Sequence, residues 1–406
     1  MLIANERAIR APYPSDLRSI MNIERAHESR QWLSHWSEIA PAATPLHDLP
    51  ELAAQLKLAR VSVKDESARS PLGSFKALGA PIALVRQILR LHPGSEPTAV
   101  LSGRYAEQLK DYTVISATDG NHGRGLAAAA RDAGCRCVIV LHANVSMERE
   151  QAIAAHGAQI VRITGNYDES VEEAARLAAA NGWQVVSDTS YKANEKIPRA
   201  GMQGYGTIAE EIVEQSGARP DEAGPFTHVF LQGGVGGMAA GVASYFWEFH
   251  GVQRPRFIIV EPAQADCLIQ SAIQGCAAKA TGSVDSVMAG LACGDTSPLA
   301  WKFLQPCIDH FMTIEDGQAV EAMRVLAKGS LRDIPIVAGE SGTAGLAALQ
   351  QLRADSASSA EIGLDAASRV LVINTEGATA PKVYEELVGE SDRAVLERQA
   401  AWSAAR

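Results

Sequence analysis

Cysteine is scarce in this sequence: six in 406 residues, at positions 135, 137, 267, 276, 293 and 307. That usage excludes a disulfide-framed scaffold and fits a reducing cytoplasm. Cys135 and Cys137 in "CRCVIV" point the same way on a strand. No second Cys/His pair completes a zinc site with them, so they read as core thiols. Long apolar runs are also missing, none approaching the ~18 residues of a membrane-spanning helix. The start, "MLIANERAIRAPYPSDL", lacks the apolar segment of a secretory signal. Positive charge is in deficit, 37 Lys and Arg against 47 Asp and Glu, for a formal net charge of −10. Nucleic acid and anionic membranes are therefore poor partners. There is no repeat of fixed period, no low-complexity tract and no long Pro/Gly linker.

What is present is a chain 47% apolar, long enough to bury a large core and to divide into two lobes. From residue 112 apolar runs alternate with Ala/Leu-rich stretches. The runs are "YTVISA", "CVIVLH", "QIVRIT" and "WQVVSD", and the stretches cover 124–133, 146–156 and 169–181. A second set follows with "THVFLQ", a helical stretch at 236–250, "RFIIVE" and, near the C-terminus, "RVLVIN". Strand and helix alternating at this pitch predict an α/β fold with parallel sheets flanked by helices. Without a linker, two lobes must interleave through chain crossings. The expected division is a large domain of residues 1–79 and 206–406 with a small α/β domain, 80–205, inserted in it.

Four stretches carry candidate chemistry. In "VSVKDESARSPLGSFKALGA", 61–80, a strand leads through a Ser/Pro/Gly loop into a helix expected near Ser74, with Lys76 in its first turn. A lysine beside the positive end of a helix loses its proton more easily, as a Schiff-base nucleophile must; a solvated lysine after a loop is the plainer alternative. In "FLQGGVGGMAAGV", 230–242, the loop Gly233, Gly234, Val235, Gly236, Gly237 leaves a strand and opens a helix. Its backbone amides suit a phosphate. The same loop also reads as a dinucleotide fingerprint with Glu261 as ribose acceptor, or as a tight crossover with no ligand. In "ISATDGNHGRGLA", 115–127, Asn121 offers an amide donor to a phenolate-like oxygen, and His122 reads as a packing residue. In "VINTEGATA", 372–380, Thr375 and Glu376 stand at a strand end.

Together these stretches resemble the fold-type II, tryptophan synthase β-like, pyridoxal 5'-phosphate enzymes, from "TPL" at 44–46 to "NTEGAT" at 374–379. The resemblance implies two interleaved lobes, and it implies that Lys76 binds the cofactor as a Schiff base with Phe75 near the ring. Asn121 would then bond the ring oxygen, Gly233 to Gly237 would hold the phosphate, and Thr375 would face the pyridine nitrogen. A hydroxyl there leaves that nitrogen largely unprotonated and favours β-elimination over transamination. A homodimer acting on a small amino acid is also implied.

One residue breaks the general pattern. Hydroxyamino-acid dehydratases of this family usually have Ser before the Gly-Asn-His turn, whereas this chain has Asp119. A second acid, Asp188, opens "SDTSYKANEKIPRAGMQGYGTIAEEI", 187–212, at another strand end. This pair, with "KIP", "MQGYGT" and "GLACG" (290–294), resembles the diaminopropionate ammonia-lyase subgroup. That likeness implies α,β-elimination on D- or L-2,3-diaminopropionate to pyruvate and ammonia. A carboxylate suits a substrate whose leaving group departs as ammonium, and it can take an α-proton from the face opposite the lysine. Asp119, Asp188 and Lys76 are thus the expected catalytic residues. The alternatives are helix capping by both acids, a serine- or threonine-type dehydratase, a nicotinamide oxidoreductase built on the glycine loop, and a non-catalytic amino-acid-binding protein.

Overall fold

A computed structural model of the chain describes residues 1–118, 120–187 and 195–406. Eleven strands form among them. They are β1 (Leu2–Ala4), β2 (Leu46–Asp48), β3 (Arg60–Asp65), β4 (Thr113–Ala117), β5 (Arg136–Leu141), β6 (Gln159–Arg162), β7 (Gln184–Val185), β8 (His228–Gln232), β9 (Arg256–Pro262), β10 (His310–Ile314) and β11 (Arg369–Asn374). Seven make one sheet in the order β1-β10-β9-β8-β11-β3-β2, and four make a second in the order β6-β5-β4-β7. The inner strands run parallel, and only the edges β1 and β2 pair antiparallel, with β10 and β3. Every residue of β4 and β8 is buried, as a parallel strand covered on both faces requires. β4 to β7 fall in sequence between β3 and β8, so the small sheet is inserted into the chain of the large one. This is the α/β architecture expected from the alternation, with parallel sheets flanked by helices.

The helix expected near Ser74 is broken in two. A single 3-10 turn, Phe75–Leu78, carries Lys76, and the α-helix begins only at Ala80 and runs to Leu91. Pro81 explains the break: it has no N–H to give and its ring would strike the carbonyl four residues back. Lys76 therefore precedes the helix, and the macrodipole argument for an easily lost proton does not transfer to it.

A 21-residue helix, Lys196–Ser216, packs on the helices Gly237–His250 and Ala80–Leu91, and residue 205 lies inside it. Glycine is a poor helix former, yet Gly204 stands in this helix because a Cβ there would lie 2.0 Å from the Leu78 carbonyl oxygen. The helix is tied to β3 by buried charges. Lys64 Nζ donates to Glu211 at 2.7 Å, and Arg69 donates to Glu211 at 2.6 Å and to Glu66 at 2.8 Å. The Glu211 carboxyl is pushed up by burial but held below its usual range by the hydrogen bond and charge of Arg69 and by Lys64. Cys135 and Cys137 are buried, as read from the sequence, and burial pushes the Cys135 thiol up to about 12. All six cysteines are free thiols, Cys267 and Cys293 included.

Candidate active site

The carboxyl ends of the two sheets face one cleft. It encloses about 760 Å³ of empty space, counting the part open to solvent, and draws lining residues from both sheets. β8 and β11 are neighbours, and the loops that follow them, at Gly233 and Thr375, both enter the cleft. Carboxyl ends of this kind are where open parallel sheets take ligands.

The Lys76 turn is stitched to the end of β11. Phe75 N–H donates to the Thr375 carbonyl at 3.0 Å, and Gly377 N–H donates to the Gly73 carbonyl at 2.9 Å. Phe75, Lys76, Thr375 and Glu376 all line the cleft as a result. The Lys76 ammonium group lies 5.4 Å from the centre of the Phe75 ring, and that ring leans on Tyr205 at 4.9 Å.

The glycine loop is shaped by its backbone. Gly233 N–H donates to the Val260 carbonyl at 2.8 Å and Gly236 N–H to the Gly233 carbonyl at 3.1 Å. Gly234 and Gly236 have φ of +59° and +95°, a conformation that side chains resist. The helix Gly237–His250 follows, and the first amides of a helix have no partner inside it. Gly233, Gly234, Val235 and Gly237 line the cleft, whereas Gly236 shapes the turn from outside it. A glycine loop at a helix start, lining the same cleft as the Lys76 amine, fits a phosphate-bearing aldehyde.

Asn121 begins the helix Asn121–Ala133, three residues earlier than the sequence suggests. The Thr118 hydroxyl accepts from the amides of Gly120 at 3.0 Å and Gly123 at 3.2 Å, which caps this end. Asn121 Nδ2 donates to Glu376 at 2.5 Å, and Ser341 N–H donates to the other Glu376 oxygen at 3.2 Å. Burial first, then the charge of Glu340, pushes the Glu376 carboxyl up to about 7, against Arg149 and the bond from Asn121. His122 is buried and its Nε2 donates to the Val186 carbonyl at 2.9 Å, the packing role expected of it. Asp119 and Asp188 lie outside the described residues.

The dinucleotide reading loses its acid. Glu261 is fully buried and accepts the amides of Leu268 and Ile269, each at 2.8 Å, so it caps the helix Cys267–Gln274. Burial pushes its carboxyl up to about 8. A ribose cannot reach it there. Tyr167 and Ser341 line the cleft but were not read from the sequence. Ser341 sits in "AGESGTAG", a Gly/Ser run before a helix that was a usable signal; Tyr167 had none beyond its helix start.

Comparison with known proteins agrees with this geometry. The family described as pyridoxal-phosphate dependent enzyme matches residues 38–376. The diaminopropionate ammonia-lyase of Salmonella typhimurium is 38% identical over 359 residues, 86% of this chain and 88% of that one. The holo diaminopropionate ammonia lyase of Escherichia coli superposes with a TM-score of 0.86 at 35% identity, covering 97% of this chain and 98% of that one. The same enzyme in complex with an aminoacrylate-PLP azomethine reaction intermediate gives a TM-score of 0.84 at 34% identity over the same shares of the chains. The chain belongs to the pyridoxal-phosphate-dependent enzyme family, with the diaminopropionate ammonia-lyases among its relatives.

Proposed function

We propose that this protein eliminates ammonia from 2,3-diaminopropionate with pyridoxal 5'-phosphate as cofactor. The observation that carries the reading is a single cleft holding Phe75, Lys76, Asn121, the glycine loop and Thr375. The reaction balances as one diaminopropionate and one water giving one pyruvate and two ammonia. Bound in this cleft, pyridoxal phosphate would supply the electron sink that lets the α-hydrogen leave as a proton.

The chain's own residues do the rest in this reading. Lys76 holds the cofactor through Nζ and serves one face of the substrate as proton acceptor. The Gly233–Gly237 loop holds the phosphate with a helix start behind it, through amides other than those of Gly233 and Gly236, which the fold's own hydrogen bonds use. Asn121 donates to the ring oxygen. Because Asn121 and Ser341 already engage Glu376, we assign Thr375 to the ring nitrogen. Asp119 and Asp188 are read as the acids that recognise the β-ammonium, one of them also taking the α-proton from the face opposite Lys76. We take residues 80–205 as the inserted domain, with 1–79 and 206–406 as the large one. We also read the protein as a cytoplasmic homodimer, on its sparse cysteines and on the family resemblance. Among the described residues no helix is long and apolar enough to cross a membrane.

The test is release of pyruvate and ammonia from D- and L-2,3-diaminopropionate and from D- and L-serine by the purified, cofactor-loaded protein. Diaminopropionate should be the preferred substrate. Preference for serine or threonine would replace this reading with the dehydratase one.

A further inference from the structure

Arg149, on the helix Met147–Ala154 between β5 and β6 of the small sheet, lines a cavity beside the cleft, and its Nη2 donates at 2.5 Å to Glu340, which lines the same cavity from the large sheet's side. Both side chains are largely buried, 17% and 5% exposed. The Arg149 stem lies over the Asn121 turn, its Cδ 3.3 Å from where a Cβ on Gly120 would stand. On the other side Glu340 is followed by Ser341, whose N–H donates to Glu376, and Glu376 accepts from Asn121. The chain of contacts therefore joins the two sheets' sides twice, once at Arg149–Glu340 in the neighbouring cavity and once at Asn121–Glu376 in the cleft.

We propose that Arg149 and Glu340 are positioning residues whose ion pair, acting through Glu376, sets how the Asn121 amide is presented to the cofactor. The inference rests on the reading of this cleft as a pyridoxal-phosphate site. The Asn121 amide nitrogen has two hydrogens. Glu376 takes one, which leaves the other for a ring oxygen. An ionised carboxylate only accepts, so it holds the amide nitrogen in place. A neutral carboxyl can donate to the amide oxygen and turn the side chain over, carrying the nitrogen away from the ring.

The charges facing Glu376 decide which state prevails. Arg149 favours the ionised form, while burial and Glu340 oppose it. Ser341 N–H and the Thr379 hydroxyl, the latter at 3.5 Å, add donors, and Lys76 lines the same cleft. Removing Arg149 and removing Glu340 should therefore act in opposite directions, which a merely structural ion pair would not do.

The experiment compares the loaded wild type with Arg149→Met, Arg149→Lys, Glu340→Gln and Glu376→Gln. It reads the rate of pyridoxal phosphate release after dilution, by absorbance, and the pH profile of kcat on diaminopropionate. Arg149→Met should release cofactor about tenfold faster and move the acid limb up by about one pH unit. Glu340→Gln should move that limb down, Arg149→Lys should keep it near wild type, and Glu376→Gln should abolish it. Shifts in the same direction for Arg149→Met and Glu340→Gln, or unchanged limbs with a wild-type release rate, would overturn the proposal while leaving the cofactor reading intact. A wild type that retains no pyridoxal phosphate would overturn both.

Discussion

Glu211→Gln is nearly isosteric and removes one charge from the buried cluster that ties the helix Lys196–Ser216 to β3. In the native cluster Lys64 and Arg69 face Glu66 and Glu211, and all four side chains are at most 3% exposed. After the change two buried cations share one carboxylate. Breaking a buried pair from one side destabilises by ~3–5 kcal/mol, because the remaining charge stays desolvated. At ~2.1 cal/mol/K per residue, 406 residues have an unfolding entropy of ~0.85 kcal/mol/K, so Tm should fall by ~4–6 °C. The control is Arg393→Ala, which loses a pair whose side chains are 86% and 68% exposed and should shift Tm by less than ~1 °C. Acid adds a second arm. The folded state holds the Glu211 carboxyl below its ordinary value of 4.5, so its stabilisation is complete above pH 4.5 and is lost as pH falls through the lowered value. Wild type and Glu211→Gln should therefore converge on acidification. Differential scanning calorimetry from pH 7 down through the lowered Glu211 value, about 2, measures both. A variant within 1 °C of wild type at pH 7, or two curves that stay parallel into acid, would refute the reasoning.

Lys76→Ala should abolish both the absorbance of bound cofactor and turnover; an alanine variant that turns over normally would sink the cofactor assignment. Thr375→Asp should protonate the ring nitrogen and divert turnover toward transamination, read as keto acid formed without pyruvate. Unchanged partition would mean that another group, Glu376 first, faces that nitrogen. Asp119→Asn should spare cofactor absorbance and lose ~10²–10⁴ in rate on one enantiomer of diaminopropionate, while Asp188→Asn should weaken binding of diamino substrates relative to serine. Equal, mild losses on both hands with a lower Tm would mean that the acids are helix caps.

Much of this fold was legible because its strands are buried on both faces and so read as unbroken apolar runs. β4, β5, β8, β9 and β11 fall within a residue or two of the runs that announce them. The strands not singled out have physical reasons for silence. β1 and β2 are three-residue edges paired antiparallel, too short to show a period. β10, "HFMTI", mixes polar residues into a buried strand. The 3-10 turn at Lys76 followed from Pro81, which was visible in the sequence but outweighed by the pattern around it. Contacts that span the whole fold left no local trace. Arg149 with Glu340 and Asn121 with Glu376 join residues 191 and 255 positions apart. Only the meeting of two sheets makes them neighbours.

That meeting also bears on why an acid can precede a turn suited to anions. The glycine loop leaves β8 of the large sheet and the Asn121 turn leaves β4 of the small one, so the two helix starts belong to separate elements. At the Asn121 turn, the Thr118 hydroxyl already accepts two backbone amides, Gly120 and Gly123. With amides engaged there and a buried Glu376 bonded to Asn121, the turn offers little to a phosphate dianion. The glycine loop also engages two amides, those of Gly233 and Gly236, inside the fold, but two of its residues take left-handed backbone and it enters the cleft ahead of a helix start. In the proposed reading, an acid before the Asn121 turn opposes no phosphate site of its own and is left to serve a cationic substrate. In the function proposed above, anion binding and cation recognition fall to elements of different sheets, as a zwitterionic diamino acid held against a phosphorylated cofactor requires.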